Sequence, residues 1–183
     1  RGYRPANFDG GYRGRVTLAE SLVLSLNLPF VSLLQRVGVS RFAASLRRLG
    51  FANLEDDDRM GLGLAIGNAE VTLVDLVAAY GALARGGIAR APRALADGVG
   101  EEGDELPVRV FGRAASYLVT DMLSGNERSL ASLGHVADVK VPRFAWKTGT
   151  SAAHRDAWTV MWNPEYVIGV WCGHLRGGFG DRR

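Results

Sequence analysis

The chain has 183 residues, 47% hydrophobic and 22% charged, enough apolar content to bury a sizeable core and too little charge for disorder. Its net charge is +3, but 20 of the 22 basic residues are arginines scattered without interleaved aromatics, which argues against a nucleic-acid surface. No stretch approaches the roughly 18 apolar residues of a membrane span, no signal peptide opens the chain, and the single cysteine, Cys172, excludes an internal disulfide.

In chain order, residues 1–14 are rich in Gly, Arg and Tyr and read as irregular. Thr17 and Glu20 form a capping box ahead of an apolar run through Leu24, so a first helix is expected there, stopping near residues 25–27. Pro29 disfavours helical geometry at Leu28 and suits the first turn of a new helix, expected from Pro29 to about Val37 and closed by Gly38. Ser25 and Asn27 therefore sit on a helix junction. A third helix is expected from Ser40 as N-cap to Leu49, stopped by Gly50.

The acidic run 55–58 reads as a solvated loop, with neither histidines nor calcium-loop spacing to make it a metal site. Gly61, Gly63 and Gly67 belong to a tightly packed segment that lacks the strand-then-helix context of a dinucleotide fingerprint. Thr72 caps a helix with Leu73, Leu76, Val77 and Tyr80 on one face, closed by Gly86 and Gly87. Residues 88–110 hold short extended pieces around a polar excursion, and a helix over 113–123 is expected to carry Tyr117, Leu118 and Met122 inward. Residues 126–138 are loop-like, and His135 within them has no partner at metal-ligand spacing.

From residue 144 the helical period gives way to strands over 144–150, 157–162 and 166–174, with Asn163-Pro164-Glu165 as the turn between the last two. Cys172, in an apolar run, is expected as a small buried residue. Short connections imply antiparallel neighbours, so helices followed by a meander give an α+β fold with helices packed on an antiparallel sheet.

Lys147-Thr148-Gly149-Thr150 is the segment with the most chemistry. Lysine supplies positive charge, glycine lets a ligand approach the backbone, a strand-edge N–H can donate to an oxyanion, and threonine hydroxyls can bind a carboxylate. Four common residues recur by chance, and a plain strand and turn is the bland alternative.

Ser25-Leu26-Asn27 on a helix junction, followed far downstream by Lys147-Thr148-Gly149 on a strand, resembles two of the three motifs of the penicillin-binding proteins and serine β-lactamases. The segments Tyr3-Arg4-Pro5-Ala6-Asn7-Phe8-Asp9, Ala69 to Leu73, Ala79-Tyr80 with Gly86-Gly87, and Arg155 to Trp158 resemble the transpeptidase domain of bifunctional class A members. Trp146 and the 169–173 stretch are most similar to the 1C branch of that family. The resemblance implies a β-lactamase/transpeptidase-like fold, with residues 1–183 as the C-terminal portion of one such domain.

The family's nucleophile lies in a Ser-x-x-Lys motif, which this chain lacks: Ala137 and Phe144 stand three residues before its two lysines. In the family that motif precedes the Tyr-x-Pro-x-Asn-x-Asp stretch, here beginning at residue 3, so truncation is the expected reason and the piece alone is expected to be inactive. The resemblance further implies a parent with a glycosyltransferase domain and a membrane anchor, on the periplasmic face of the inner membrane. It implies peptidoglycan stem peptides and β-lactams as ligands, other cell-wall synthesis proteins as candidate partners, and no cofactor or metal. On this reading Ser25 relays a proton, Asn27 orients the motif lysine and the substrate amide, Lys147 polarises Ser25, and Thr148, Gly149 and Thr150 receive the carboxylate and oxyanion.

Bland readings stand beside these: Ser25 and Asn27 as a helix end and an N-cap, Ser151 and Asp156 as turn and strand-end residues, Arg155 as a surface charge. Two other functions stay open, a non-catalytic peptidoglycan-binding scaffold and a β-lactamase.

Overall fold

A computed structural model describes residues 5–55, 57–93, 106–125, 142–151 and 155–174. The chain divides into two compact units, Arg1–Val71 and Thr72–Arg183.

The first unit begins with a capping box. Thr17 accepts from the Glu20 N–H at 3.1 Å, and the Glu20 carboxylate accepts from the Thr17 N–H and hydroxyl, each at 2.8 Å, which starts α1 (Leu18–Val23). Helix α2 spans Asn27–Val37 and α3 Val39–Arg48, with Gly38, at φ +93°, as the hinge residue between them. Leu34, Ala43, Met60 and Leu64 form the core of this unit, with Phe42, Leu46 and Leu54 packed against it. Helix α4 (Asp57–Met60) and a 3₁₀ helix (Gly61–Ile66) complete it. Gly63 admits Asn68, whose side chain lies 3.2 Å from where a Cβ would sit.

Several boundaries differ from expectation. Pro29 is the third residue of α2, not its start, because a first-turn proline gives up an N–H that has no intrahelical partner anyway. Ser40 lies inside α3 and Gly38 holds the N-cap position. Asp57 and Asp58 belong to α4, although the sequence reads as loop.

Thr17 holds the Glu20 carboxyl below its usual 4.5, first through its backbone N–H and then through its hydroxyl. A depressed pKa stabilises the fold fully above the unfolded value and loses that contribution as pH falls through the folded one. Glu20→Ala is therefore expected to lower the melting temperature near neutral pH, with the deficit shrinking below pH 4.5; a deficit independent of pH sinks the assignment.

The second unit starts with α5 (Leu73–Ala84), capped by Thr72 through the Asp75 N–H at 3.1 Å. Strands β1 (Ile88–Ala89) and β2 (Val108–Arg109) pair antiparallel, and α6 runs Arg113–Leu123. The sheet is a three-stranded antiparallel meander, β3 (Ala145–Thr150), β4 (Asp156–Trp162) and β5 (Val167–Gly173), in that order. The Asn163 carboxamide closes the β4–β5 turn by accepting from the Glu165 and Tyr166 N–H groups at 2.9 and 2.7 Å.

The register places Ala145, Lys147 and Gly149 beside Trp162, Val160 and Trp158 on one face. That face packs on the helices: the Trp162 ring meets Tyr80 at 5.1 Å, and its Nε1 donates to the Thr120 hydroxyl at 3.0 Å. Gly169 lets α5 approach, because a Cβ there would collide with Val77. The arrangement is the α+β one, helices on an antiparallel sheet.

Helix α6 presents a different face from the expected one. Ser116 and Leu123 are buried, whereas Tyr117 and Leu118 are 68% and 52% exposed and Met122 is half-buried. The apolar count of the helix favoured the wrong stripe, since Thr120 is drawn inward by its bond to Trp162. Cys172 is also exposed, on the face of the sheet opposite the helices. The polar excursion at 97–105 and the loop 126–138 with His135 lie outside the described residues.

Candidate active site

The first group of candidate residues is the α1–α2 junction. Helix α1 ends as glycine-terminated helices do: the Leu26 N–H reaches back to Ser21 O at 2.9 Å and the Ser25 N–H to Leu22 O at 3.4 Å. That stop needs a left-handed residue, and Ser25 supplies it at φ +55°, the one non-glycine residue with positive φ among those described. A serine here costs free energy that glycine would not, and such strain clusters at functional sites.

Asn27 is not an N-cap. It occupies the first helical position of α2, Leu26 has the cap position without a side-chain bond, and Asn27 Nδ2 donates to Ala6 O at 2.9 Å. The orphan N–H of Leu28 is met instead by Asn7 Oδ1 at 3.2 Å, and Asn7, buried, also donates to Gly11 O at 2.7 Å. Ala6 and Asn7 thus hold the junction from outside. Asp9 braces its own loop, accepting from the Gly11 N–H at 3.0 Å; that bond, then the Arg13 charge, holds its carboxyl below the ordinary range. Sequence reading missed Asn7 as a support because its partner is 21 residues away.

The second group lies on β3. Burial falls along the strand, from Ala145 at 1% to exposed Thr148, Gly149 and Thr150. Lys147 Nζ donates to Thr148 O at 2.8 Å, so the ammonium lies at the strand edge.

Antiparallel pairs alternate between hydrogen-bonded and non-bonded. The Ser151 N–H bonds Asp156 O at 3.0 Å, so the next pair, Thr150 with Ala157, is a non-bonded one. The Thr150 N–H accordingly points away from β4 to the outer edge of β3, the edge on which Thr148 O meets the ammonium. Thr148 and Thr150 share one face, which lets both hydroxyls serve one carboxylate. The end of the strand is braced. Ser151 Oγ donates to Asp156 Oδ2 at 2.8 Å and accepts from the Asp156 N–H at 2.9 Å, while Trp171 Nε1 donates to Asp156 Oδ1 at 3.1 Å. Ser151 and Asp156 thus have the turn and strand-end roles.

Among the described residues nothing demands glycine at 149: an added Cβ would touch only Trp158 Cβ, at an ordinary 3.8 Å, and no left-handed φ requires it. Gly149→Ala is expected to leave the melting temperature unchanged or slightly raised, because glycine weakens strand interiors by about 0.5–1 kcal/mol. Acylation by a penicillin is expected to fall at the same time. A lowered melting temperature with unchanged acylation would make the glycine structural.

Among the described residues no group of three or more His, Cys, Asp or Glu side chains is placed to hold a metal, and no helix is long and apolar enough to cross a membrane.

Comparison with known proteins completes the picture. The penicillin binding protein transpeptidase domain model matches residues 2–165. Penicillin-binding protein 1C of Escherichia coli (strain K12) is 39% identical over 180 residues, 96% of this chain and 22% of that protein. Penicillin-binding protein 1A of Clostridium acetobutylicum is 29% identical over 181 residues, 94% of this chain and 22% of that protein. The chain therefore spans about a fifth of these relatives' length.

Among solved structures, penicillin-binding protein 1A from Haemophilus influenzae matches with a TM-score of 0.74 at 20% identity, over 96% of this chain and 32% of that one. Penicillin-binding protein A from M. tuberculosis, solved as an imipenem acyl-enzyme complex, matches at 0.66 and 18% identity, over 91% and 45%. These two likenesses carry the fold alone. A family match that runs from residue 2 to residue 165, on the fold those structures share, makes this chain a member of the penicillin-binding protein transpeptidase family.

Proposed function

We propose that the chain is the C-terminal portion of the transpeptidase domain of a serine-type peptidoglycan D,D-transpeptidase. The observation that carries this reading is the outer edge of β3, where an outward Thr150 N–H lies on the same edge as the Thr148 carbonyl that holds the Lys147 ammonium. An oxyanion donor and a fixed cation on one strand edge are what acyl transfer from a carboxylate-bearing peptide requires.

The reaction runs in two displacements. A serine outside this chain attacks the penultimate D-alanine carbonyl of a stem peptide, and the bond to the terminal D-alanine nitrogen breaks as that amine takes a proton relayed through Ser25. An amine of a neighbouring stem then attacks the acyl-enzyme, closing the cross-link and restoring the serine. Lys147 keeps Ser25 polarised and adds positive potential, Asn27 orients the motif lysine and the substrate amide, and Thr148 and Thr150 hold the terminal carboxylate, or that of a β-lactam. Gly149 leaves the strand surface clear beside them. The parent protein acts at the periplasmic face of the inner membrane, anchored by a segment outside this chain.

Labelling with a fluorescent penicillin tests the reading. The full-length protein is expected to form a covalent adduct and the 183-residue piece none, by intact mass. In the full-length protein Lys147→Ala is expected to abolish labelling with the melting temperature nearly unchanged; unfolding instead assigns the lysine a structural role, and an acylated piece overturns the placement of the nucleophile.

A further inference from the structure

The second unit carries a groove that the transpeptidase reading does not use. It lies between α5 and the two arms around β1 and β2, encloses about 770 Å³, and is lined by Val74, Val77 and Leu106 together with Arg85, Arg90 and Arg93. Volumes of about 300–1,000 Å³ are those of binding pockets.

Its cationic side is built in. Gly81, in the body of α5, makes room for the Arg85 guanidinium, whose Nη1 lies 2.8 Å from where a Cβ would sit. Arg85 Nε donates to Ile88 O at 3.1 Å, which fixes the group over the helix. Among the described residues no carboxylate pairs with Arg85 or Arg90. Partial burial and, next, the charge of Arg90 both disfavour the protonated Arg85. Two guanidiniums lining one groove beside exposed apolar side chains favour an anion, and their planar donors match carboxylates.

From this geometry we infer that the groove on α5 binds an acidic peptide segment of a partner protein, its carboxylates on Arg85 and Arg90 and an apolar side chain against Val74, Val77 and Leu106. The site's concavity fits a peptide chain better than a flat lipid surface, and its charge selects acidic over basic sequence.

The test uses the full-length protein and a fluorescent acetyl-Glu-Leu-Glu-Glu-Leu-Glu-amide probe, read by anisotropy. Saturable binding is expected that weakens with salt and falls at least about tenfold in Arg85→Gln/Arg90→Gln. Gly81→Ala is expected to weaken binding as well, by displacing the guanidinium, with the melting temperature unchanged or raised. Equal binding of a Lys-Leu-Lys-Lys-Leu-Lys probe, or wild-type affinity in the double variant, overturns the proposal. So does arginine-dependent retention on phosphatidylglycerol vesicles without peptide binding, which assigns the groove to a lipid surface. Binding that appears only after Asp97, Glu101, Glu102, Asp104 and Glu105 are neutralised shows that the chain's own acids hold the groove, and also overturns it.

Discussion

Ser25→Gly is expected to make the protein more stable and less able to react. The left-handed backbone at Ser25, φ +55°, costs an L-residue about 1–2 kcal/mol that glycine does not incur, and the helix stop it completes is one that glycine favours. Removing the hydroxyl removes the proposed proton relay, and general acid–base groups contribute about 10²–10⁴-fold to rate. The expected result is a melting temperature raised by a few degrees together with penicillin acylation slowed by two orders of magnitude or more. Ser25→Ala separates the two effects, since it loses the hydroxyl and keeps the strain. A serine present only to end a helix gives the same stabilisation on Ser25→Gly but leaves acylation intact.

Trp162→Ala is expected to have the largest effect on folding. The ring is fully buried, meets Tyr80 of α5 at 5.1 Å with planes inclined by 58°, and donates to Thr120 of α6. One side chain therefore joins the sheet to both helices. Truncating a buried tryptophan costs about 3–5 kcal/mol, a large share of the 5–15 kcal/mol by which domains are stable. Denaturant unfolding is expected to show that loss, or no cooperative transition at all. Trp162→Phe keeps the ring contact but leaves the Thr120 hydroxyl without its donor, and is expected to cost about 1–3 kcal/mol. A change below 1 kcal/mol in the alanine variant sinks the assignment of Trp162 as the central packing residue.

Local rules account for what the sequence made legible. The Thr17–Glu20 box, the Thr72 cap and the Asn163 turn are set by side chains within a few residues of the backbone they bind, so spacing alone locates them. The helix at 113–123 and the three-stranded meander follow from hydrophobic period and short connections in the same way.

The misplaced features depend on distant partners. The bland alternative of Asn27 as a helix cap fails on a distant contact, since Asn27 holds the first helical position and its amide donates to Ala6 O, 21 residues earlier in the chain. Tyr117 and Leu118 read as core until Thr120 is seen turned inward by Trp162, 42 residues further on. Cys172 reads as buried because its run is apolar, and apolar content does not say which face of a strand meets the helices.

The candidate residues divide along the same line. The sequence nominated Ser25, Asn27, Lys147, Thr148, Gly149 and Thr150 as candidates through their resemblance to the motifs of the penicillin-binding proteins, since four common residues around a lysine recur by chance. Tertiary structure decided what spacing leaves undetermined: that Ser25 adopts a left-handed backbone, that the Thr150 N–H faces the outer edge of its strand, and that Gly149 meets no close packing among the described residues. Each of these is a direction in space, set by which hydrogen bonds the neighbouring elements have already taken, and a linear pattern carries no record of that.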